Sequence, residues 1–160
     1  MSNFELPVEI INHIQKSIKK YPAGREQAAV KSVLMAVQKH YGYLTVQAMD
    51  AVAAQLNMPP MSVYEIAHFY SLYRLKPCGK NELAICTNVS CWLRGAEDLL
   101  KYASELLDVQ PGETSEKYSI TLKEVECLAA CGQAPAAQIN GRYIGPLDKE
   151  KLLAWIKECD

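Results

Sequence analysis

The sequence of 160 residues predicts two parts, an all-helical segment over residues 1–76 and an α/β domain over residues 77–160. Two observations indicate this division. Apolar residues recur at helical spacing throughout the first part, whereas strand and helix spacing alternate in the second. All six cysteines lie in the second part, and four of them form two close pairs that each follow a predicted strand.

Four helices are predicted in the first part. Apolar residues at helical spacing place them at residues 7–20, 25–41, 45–57 and 62–74. Gly42 is typical of a helix C-terminus and Thr45 of a helix start. Ser62 and Glu65 have the spacing of a capping box, which predicts the start of the fourth helix.

The second part predicts the element order β-α-β-β-β-α. The first strand is "ELAICT" (82–87), followed by a helix at residues 92–108 and a second strand in "KYSITLKEVEC" (117–127). Two short strands in "AAQINGRYIG" (136–145) and a last helix at residues 147–159 follow. Asn140-Gly141 is a strong hairpin signal, and Asp148 is suited to cap the last helix. We expect a right-handed crossover between the first two strands, which makes them parallel neighbours.

Charge and composition exclude two classes of partner. The 17 basic and 18 acidic residues give a net charge of −1 and are spread along the chain, so no nucleic-acid footprint is present. No apolar run approaches the roughly 20 residues of a membrane helix, so direct membrane insertion is not expected. The N-terminus lacks the pattern of a signal peptide, and we therefore expect a cytoplasmic protein.

Cysteine is the most informative residue type. Cys86 and Cys91 form one pair in "CTNVSC", Cys127 and Cys131 form another in "CLAAC", and Cys78 stands alone, as does the cysteine at position 159. A reducing compartment keeps thiols free of structural disulfides, so paired cysteines indicate a metal, a cluster or redox chemistry. If the first two strands are parallel, both pairs lie at the same C-terminal edge of the sheet, where open α/β sheets place ligands.

Three kinds of site use such thiols. A thioredoxin-type dithiol needs two intervening residues, and neither pair has that spacing. Structural zinc takes four thiolates but most often binds pairs with two intervening residues, so it stays open without being favoured. A [2Fe–2S] cluster also takes four thiolates and is broader than one ion, which makes it the best chemical match to gaps of three and four. The helix predicted after Cys91 would direct its N-terminal N–H groups at such an anionic centre.

Several stretches resemble one family in order along almost the whole chain. They are "YGYLTVQAMDAVAAQLNMP", "SVYEIAHFYSLY", "CTNVSCWLRGAEDLL", "LDVQPGETS", "EVECLAACGQAPAAQIN" and "GPLDKEKL". The family is the thioredoxin-like [2Fe–2S] ferredoxin subunit of NADH-linked oxidoreductases, known best from respiratory complex I. Its C-x4-C motif falls on Cys86 and Cys91, and its C-x3-C motif falls on Cys127 and Cys131.

The resemblance implies a fold, a cofactor and partners. The fold is an N-terminal helical segment followed by a thioredoxin-like domain that carries one [2Fe–2S] cluster on those four cysteines. The implied partner is a larger flavoprotein subunit that binds FMN and NADH, with a larger iron–sulfur subunit in the full complex. This chain would exchange single electrons with FMN at the cytoplasmic face of the inner membrane. It has no evident nucleotide-binding loop and is not expected to be catalytic alone.

The chain departs from the family at two positions, and two alternative functions remain. The family commonly has Gly where this chain has Ala129, and an aliphatic residue where this chain has Cys78. We expect that neither Cys78 nor Cys159 is a ligand. One alternative is the equivalent diaphorase subunit of an NAD-linked hydrogenase or formate dehydrogenase. The other is a binding module in which the two cysteine pairs hold a structural zinc ion.

Overall fold

A computed structural model describes residues 4–159. The chain forms two compact units, of which one ends at Pro77 and the other begins at Cys78. Each unit has a hydrophobic core of its own. No helix within residues 4–159 is both long enough and apolar enough to cross a membrane.

The first unit is built of four α-helices. They are α1 (Val8–Ile18), α2 (Val30–Tyr41), α3 (Val46–Gln55) and α4 (Pro60–Phe69), with a 3-10 turn at Glu26–Ala29 before α2. Each helix buries an apolar face, as its spacing predicts, and Ile14, Val33 and Val37 are fully buried. The predicted ends of two helices are confirmed: Gly42 follows α2 with φ +84°, and the Thr45 side chain accepts a hydrogen bond from Ala48 N–H.

The fourth helix differs from its prediction at both ends. It begins at Pro60, so Ser62 lies inside its first turn and the predicted capping box is wrong. Proline is favoured at a first helical position because the N–H group it lacks has no helical partner there. The helix also ends at Phe69 rather than near residue 74. Buried Gln38 on α2 explains this, since its side chain donates to the Leu72 carbonyl and accepts from Arg74 N–H, which holds this stretch as a loop.

The second unit is a five-stranded mixed sheet with three helices. The strands are β1 (Asn81–Cys86), β2 (Thr114–Ser115), β3 (Ile120–Val125), β4 (Ala137–Ile139) and β5 (Arg142–Ile144), and the helices are α5 (Val89–Trp92), α6 (Ala96–Leu107) and α7 (Lys149–Glu158). The order across the sheet is β2-β3-β1-β4-β5. β1 and β3 are parallel, as expected of the first two predicted strands, and all other neighbours are antiparallel.

The predicted order β-α-β-β-β-α is confirmed in outline, with two differences. A two-residue strand, β2, precedes β3 in the stretch between the helix and the strand that the sequence predicts at residues 92–108 and 117–127. The single helix predicted at residues 92–108 is divided, because Gly95 has φ +84° and starts a new helix at Ala96. Cys91 therefore lies within the short helix α5, and the N-terminus of the long helix α6 does not follow it directly.

The predicted hairpin turn and the predicted start of the last helix are both confirmed. Asn140 and Gly141 have φ of +49° and +83°, the two left-handed positions of a type I′ turn. Asp148 caps α7, since its carboxylate accepts a hydrogen bond of 2.8 Å from Lys151 N–H. That N–H bond and the Lys151 ammonium lower the pKa of Asp148, so the cap is charged at neutral pH.

Candidate metal centre

Both cysteine loops leave the sheet at the same edge. β1 ends at Cys86, which stands opposite Val125, the last residue of β3. Because the two strands are parallel neighbours, their C-termini point the same way. The loop with Cys91 therefore starts beside the loop with Cys127 and Cys131. Cys78 precedes the first residue of β1 and so lies toward the opposite end of that strand from Cys86.

Cys86 and Cys91 are buried, with 3% and 1% of their surface exposed. They pack in a small apolar cluster with Ala96, Ala134 and Ala136. Ala136 N–H donates to Cys91 Sγ at 3.5 Å, and its carbonyl accepts from Cys86 N–H at 3.1 Å. One short stretch after the second cysteine loop thus holds both residues of the first pair.

Cys127 and Cys131 are exposed. They lie in the loop between β3 and β4, where Cys131 begins a 3-10 turn that ends at Gln133. Ala129 N–H donates to Cys127 Sγ at 3.2 Å, and Ala129 has φ +54°. The second pair is therefore available to an incoming ion or partner, while the first pair forms the buried side of the site.

The electrostatics show that three of the thiols interact. Burial raises the pKa of the Cys91 thiol, the Ala136 N–H donor lowers that pKa by a smaller amount, and the neighbouring Cys86 and Cys131 side chains raise it by less again. Negative charge on the neighbouring sulfurs disfavours the Cys91 thiolate, and a positive charge beside it would favour that form. A metal centre supplies that charge, since thiolates and not thiols are the ligands of metals.

The four paired thiols offer ligands to a metal centre. Over residues 4–159, no three His, Cys, Asp or Glu side chains are grouped so as to hold one metal ion. A structural zinc site requires four ligands within about 2.3 Å of one ion. Zinc and a [2Fe–2S] cluster both take four thiolates, so the four paired sulfurs supply a donor set that suits either centre.

The two lone cysteines lie away from this edge. Cys159 follows α7 and packs against the sheet core that contains Leu152 and Ile156. Burial and the Glu158 carboxylate raise the pKa of its thiol. Cys78 is half-buried, and the next residue, Gly79, donates its N–H to Thr121 Oγ1 at 2.8 Å. That neither thiol is a ligand stays a prediction.

The residues that support the second loop from outside were not predicted from the sequence. Leu147 N–H donates to the Pro135 carbonyl at 2.8 Å. Gly145 packs so closely on the loop that an added Cβ would collide with the Gln133 carbonyl oxygen. The signal in the sequence was the Gly145-Pro146 pair, which ordinary turns share.

Exposed apolar side chains lie in or beside both cysteine loops. Val89, Trp92 and Leu93, on and just after α5, are between 51% and 71% exposed. Tyr143 and Leu128 line an open depression of about 550 Å³ together with Ala129, Ala130, Gly132 and Gln133, all of the second cysteine loop. Large exposed apolar side chains beside a site are typical of a surface that a partner covers.

Comparison with known proteins finds relatives over nearly the whole chain. The sequence model described as thioredoxin-like [2Fe–2S] ferredoxin matches residues 14–160. A protein of Rickettsia bellii (strain RML369-C), named as a subunit of NADH-quinone oxidoreductase, is 39% identical over 157 residues, which cover 98% of this chain and 94% of that one. A protein of Rhizobium meliloti (strain 1021), named as the same subunit, is 38% identical over 144 residues, which cover 90% and 84%.

A solved structure has the same fold over most of the chain. It is an NAD+-reducing [NiFe]-hydrogenase in the air-oxidized state, which aligns with a TM-score of 0.68 and 25% identity. The alignment covers 79% of this chain but only 22% of the hydrogenase chain. The fold described above is therefore similar to one part of a much longer polypeptide.

Proposed function

Because the chain belongs to the thioredoxin-like [2Fe–2S] ferredoxin family, we propose that Cys86, Cys91, Cys127 and Cys131 hold one [2Fe–2S] cluster. One observation carries this assignment. The parallel pairing of β1 and β3 brings both cysteine loops to one sheet edge, with a buried pair and an exposed pair of thiols. The division of the chain follows the site: the unit from Cys78 carries the cluster, and residues 1–76 form a helical region without cysteine.

When bound, the cluster supplies a carrier for one electron at a time. The residues of this chain bury it, orient it and balance its charge. Cys86 and Cys91 would provide ligands from the small cluster in which they are buried with three alanines, while Ala129 and Ala136 direct main-chain N–H groups at two of the sulfurs. Such donors favour the negatively charged sulfurs and so influence the reduction potential.

The chain acts as an electron-transfer subunit of the NADH dehydrogenase module of an NADH-quinone oxidoreductase. Two relatives of almost full length are named as a subunit of that complex. In that role the cluster would exchange single electrons with FMN in a partner subunit that also binds NADH, and a larger iron–sulfur subunit would complete the complex. The chain is part of an oxidoreductase without being catalytic alone, and it resides at the cytoplasmic face of the inner membrane through the complex.

The partner surface includes the exposed apolar side chains near the thiols. Val89, Trp92 and Leu93 are exposed on and just after α5 in the first cysteine loop, and Tyr143 borders the second loop. Electron transfer requires a partner's redox group to approach the cluster closely. Covering these side chains would bring a partner to the exposed sulfurs and remove apolar area from water in the same step.

A second candidate differs only in the parent complex. The fold match to an NAD+-reducing [NiFe]-hydrogenase supports an equivalent role in an NAD-linked hydrogenase, and a formate dehydrogenase would use the same chemistry. Native mass spectrometry of the complex purified through this chain distinguishes them. We expect a flavoprotein subunit with FMN together with quinone-reducing subunits. A nickel or molybdenum subunit in their place would contradict the respiratory assignment, and purification of this chain without any flavoprotein would contradict the module itself.

A further inference from the structure

Ala129 has an unusual backbone for a residue with a side chain. Its φ of +54° is in the left-handed region, which a Cβ disfavours and which glycine adopts freely. The next residue, Ala130, has an ordinary φ of −116°. A left-handed alanine persists only where its surroundings require that conformation, and such residues concentrate at functional sites.

The left-handed turn has a local result that involves a ligand. Ala129 N–H donates to Cys127 Sγ, two residues earlier, at 3.2 Å. The chain then reverses, so that Cys131 begins the 3-10 turn whose Gln133 N–H donates to the Ala130 carbonyl at 2.9 Å. The same turn therefore directs a main-chain N–H group at the Cys127 sulfur and reverses the chain direction before Cys131.

We infer that Ala129 is a positioning residue whose main-chain N–H, through its hydrogen bond to Cys127 Sγ, raises the reduction potential of the cluster. This inference rests on the cluster assignment proposed above. Reduction adds one electron and therefore negative charge, part of which resides on the thiolate sulfurs. A hydrogen bond to such a sulfur becomes stronger as the negative charge on the sulfur grows, so the bond stabilises the reduced form more than the oxidised form.

Replacing the amide of residue 129 by an ester tests the inference. Lactic acid in place of Ala129 keeps the methyl group and removes the N–H donor, while the same replacement of Ala130 is the matched control, one position along the same loop. Redox titration monitored by electron paramagnetic resonance should show the oxidised form favoured by about fivefold at a fixed ambient potential in the residue 129 ester. Equal midpoint potentials of the two esters would overturn the inference.

A second measurement applies even if the ester at residue 129 prevents cluster assembly. In protein labelled with 15N-alanine, pulsed electron paramagnetic resonance of the reduced cluster detects nitrogen atoms of nearby alanines. Ala129→Gly keeps the N–H but removes the label there, so one 15N coupling should disappear, whereas Ala130→Gly should retain it. The coupling of Ala136, whose N–H faces Cys91 Sγ, should remain in both variants. Survival in Ala129→Gly of every 15N coupling seen in the unaltered protein would overturn the inference. Unaltered protein that binds no iron would instead overturn the cluster assignment, so the two failures are distinguishable.

Discussion

At the scale of single residues, burial divides the paired cysteines into two chemical kinds. Cys86 and Cys91 are enclosed by alanines, whereas Cys127 and Cys131 are exposed in their loop. A thiol reacts as its thiolate, and burial next to other sulfurs disfavours that form. The protein without its cluster should therefore have two accessible and two protected ligand thiols.

Alkylation of the cluster-free protein checks this difference. At neutral pH iodoacetamide should modify Cys91 about tenfold more slowly than Cys127, because burial restricts access to the Cys91 sulfur and a raised pKa lowers its thiolate fraction. A raised pKa means that the Cys91 rate keeps rising with pH above the usual thiol range. Peptide mapping by mass spectrometry gives both rates, and equal rates at neutral pH would contradict the described burial.

The backbone at Ala129 makes a second prediction at this scale. Ala129→Gly relieves a left-handed conformation that disfavours a Cβ by roughly 1–2 kcal/mol, but it loses about 0.5–1 kcal/mol through the freedom of glycine in the unfolded chain. The free energy of unfolding of the cluster-free protein should thus stay the same or rise slightly. Ala130→Gly relieves no left-handed conformation, so it should only lower the free energy of unfolding. Denaturant titration should therefore give a lower free energy of unfolding for Ala130→Gly than for Ala129→Gly. The reverse order would show that residue 129 is not left-handed.

At the scale of elements, the second cysteine loop depends on the segment after β5. Leu147 donates to Pro135, and Gly145 packs against Gln133, so residues 145–147 support the loop that presents Cys131. Helix α5 and the start of α6 organise the other loop, with Gly95 between them. The site is therefore held by elements on both sides of the sheet edge.

Gly145→Ala tests the support of the second loop. The added Cβ meets the Gln133 carbonyl, and such overpacking costs typically about 1–3 kcal/mol. We expect a lower free energy of unfolding and a lower ratio of iron to protein after identical reconstitution. Gly132→Ala is the matched control, since its Cβ meets no atom within 4 Å. Equal effects of the two substitutions, measured by denaturant titration and iron analysis, would contradict the described packing.

The elements also show which features the sequence predicts. The apolar spacing of the first three helices, the Asn140-Gly141 hairpin and the Asp148 cap depend on neighbouring residues, and all were predicted. The end of α4 depends on Gln38, more than thirty residues away in the chain, and no local pattern reveals it. The division at Gly95 was missed because apolar spacing continues across a glycine that can also occur within a helix.

At the scale of the whole molecule, a single parallel strand pair brings two cysteine pairs that are far apart in sequence to one edge of the sheet. The family resemblance is confirmed by the match over residues 14–160 and by relatives of almost full length. The parallel strands and the shared sheet edge were predicted from the order of elements. The main-chain donors at Ala129 and Ala136 were not predicted, because side-chain identity does not reveal where an N–H group points.

Iron content and electron paramagnetic resonance of the anaerobically purified protein test the cluster assignment without any partner. We expect two irons and two labile sulfides per chain by the stoichiometry of a [2Fe–2S] cluster, visible absorption when oxidised and a resonance signal after one-electron reduction. The signal should survive Cys78→Ser and Cys159→Ser and be lost or strongly altered when Cys86, Cys91, Cys127 or Cys131 is replaced by Ala. A colourless protein with one zinc ion per chain, or a signal lost in either control, would contradict the four-cysteine cluster.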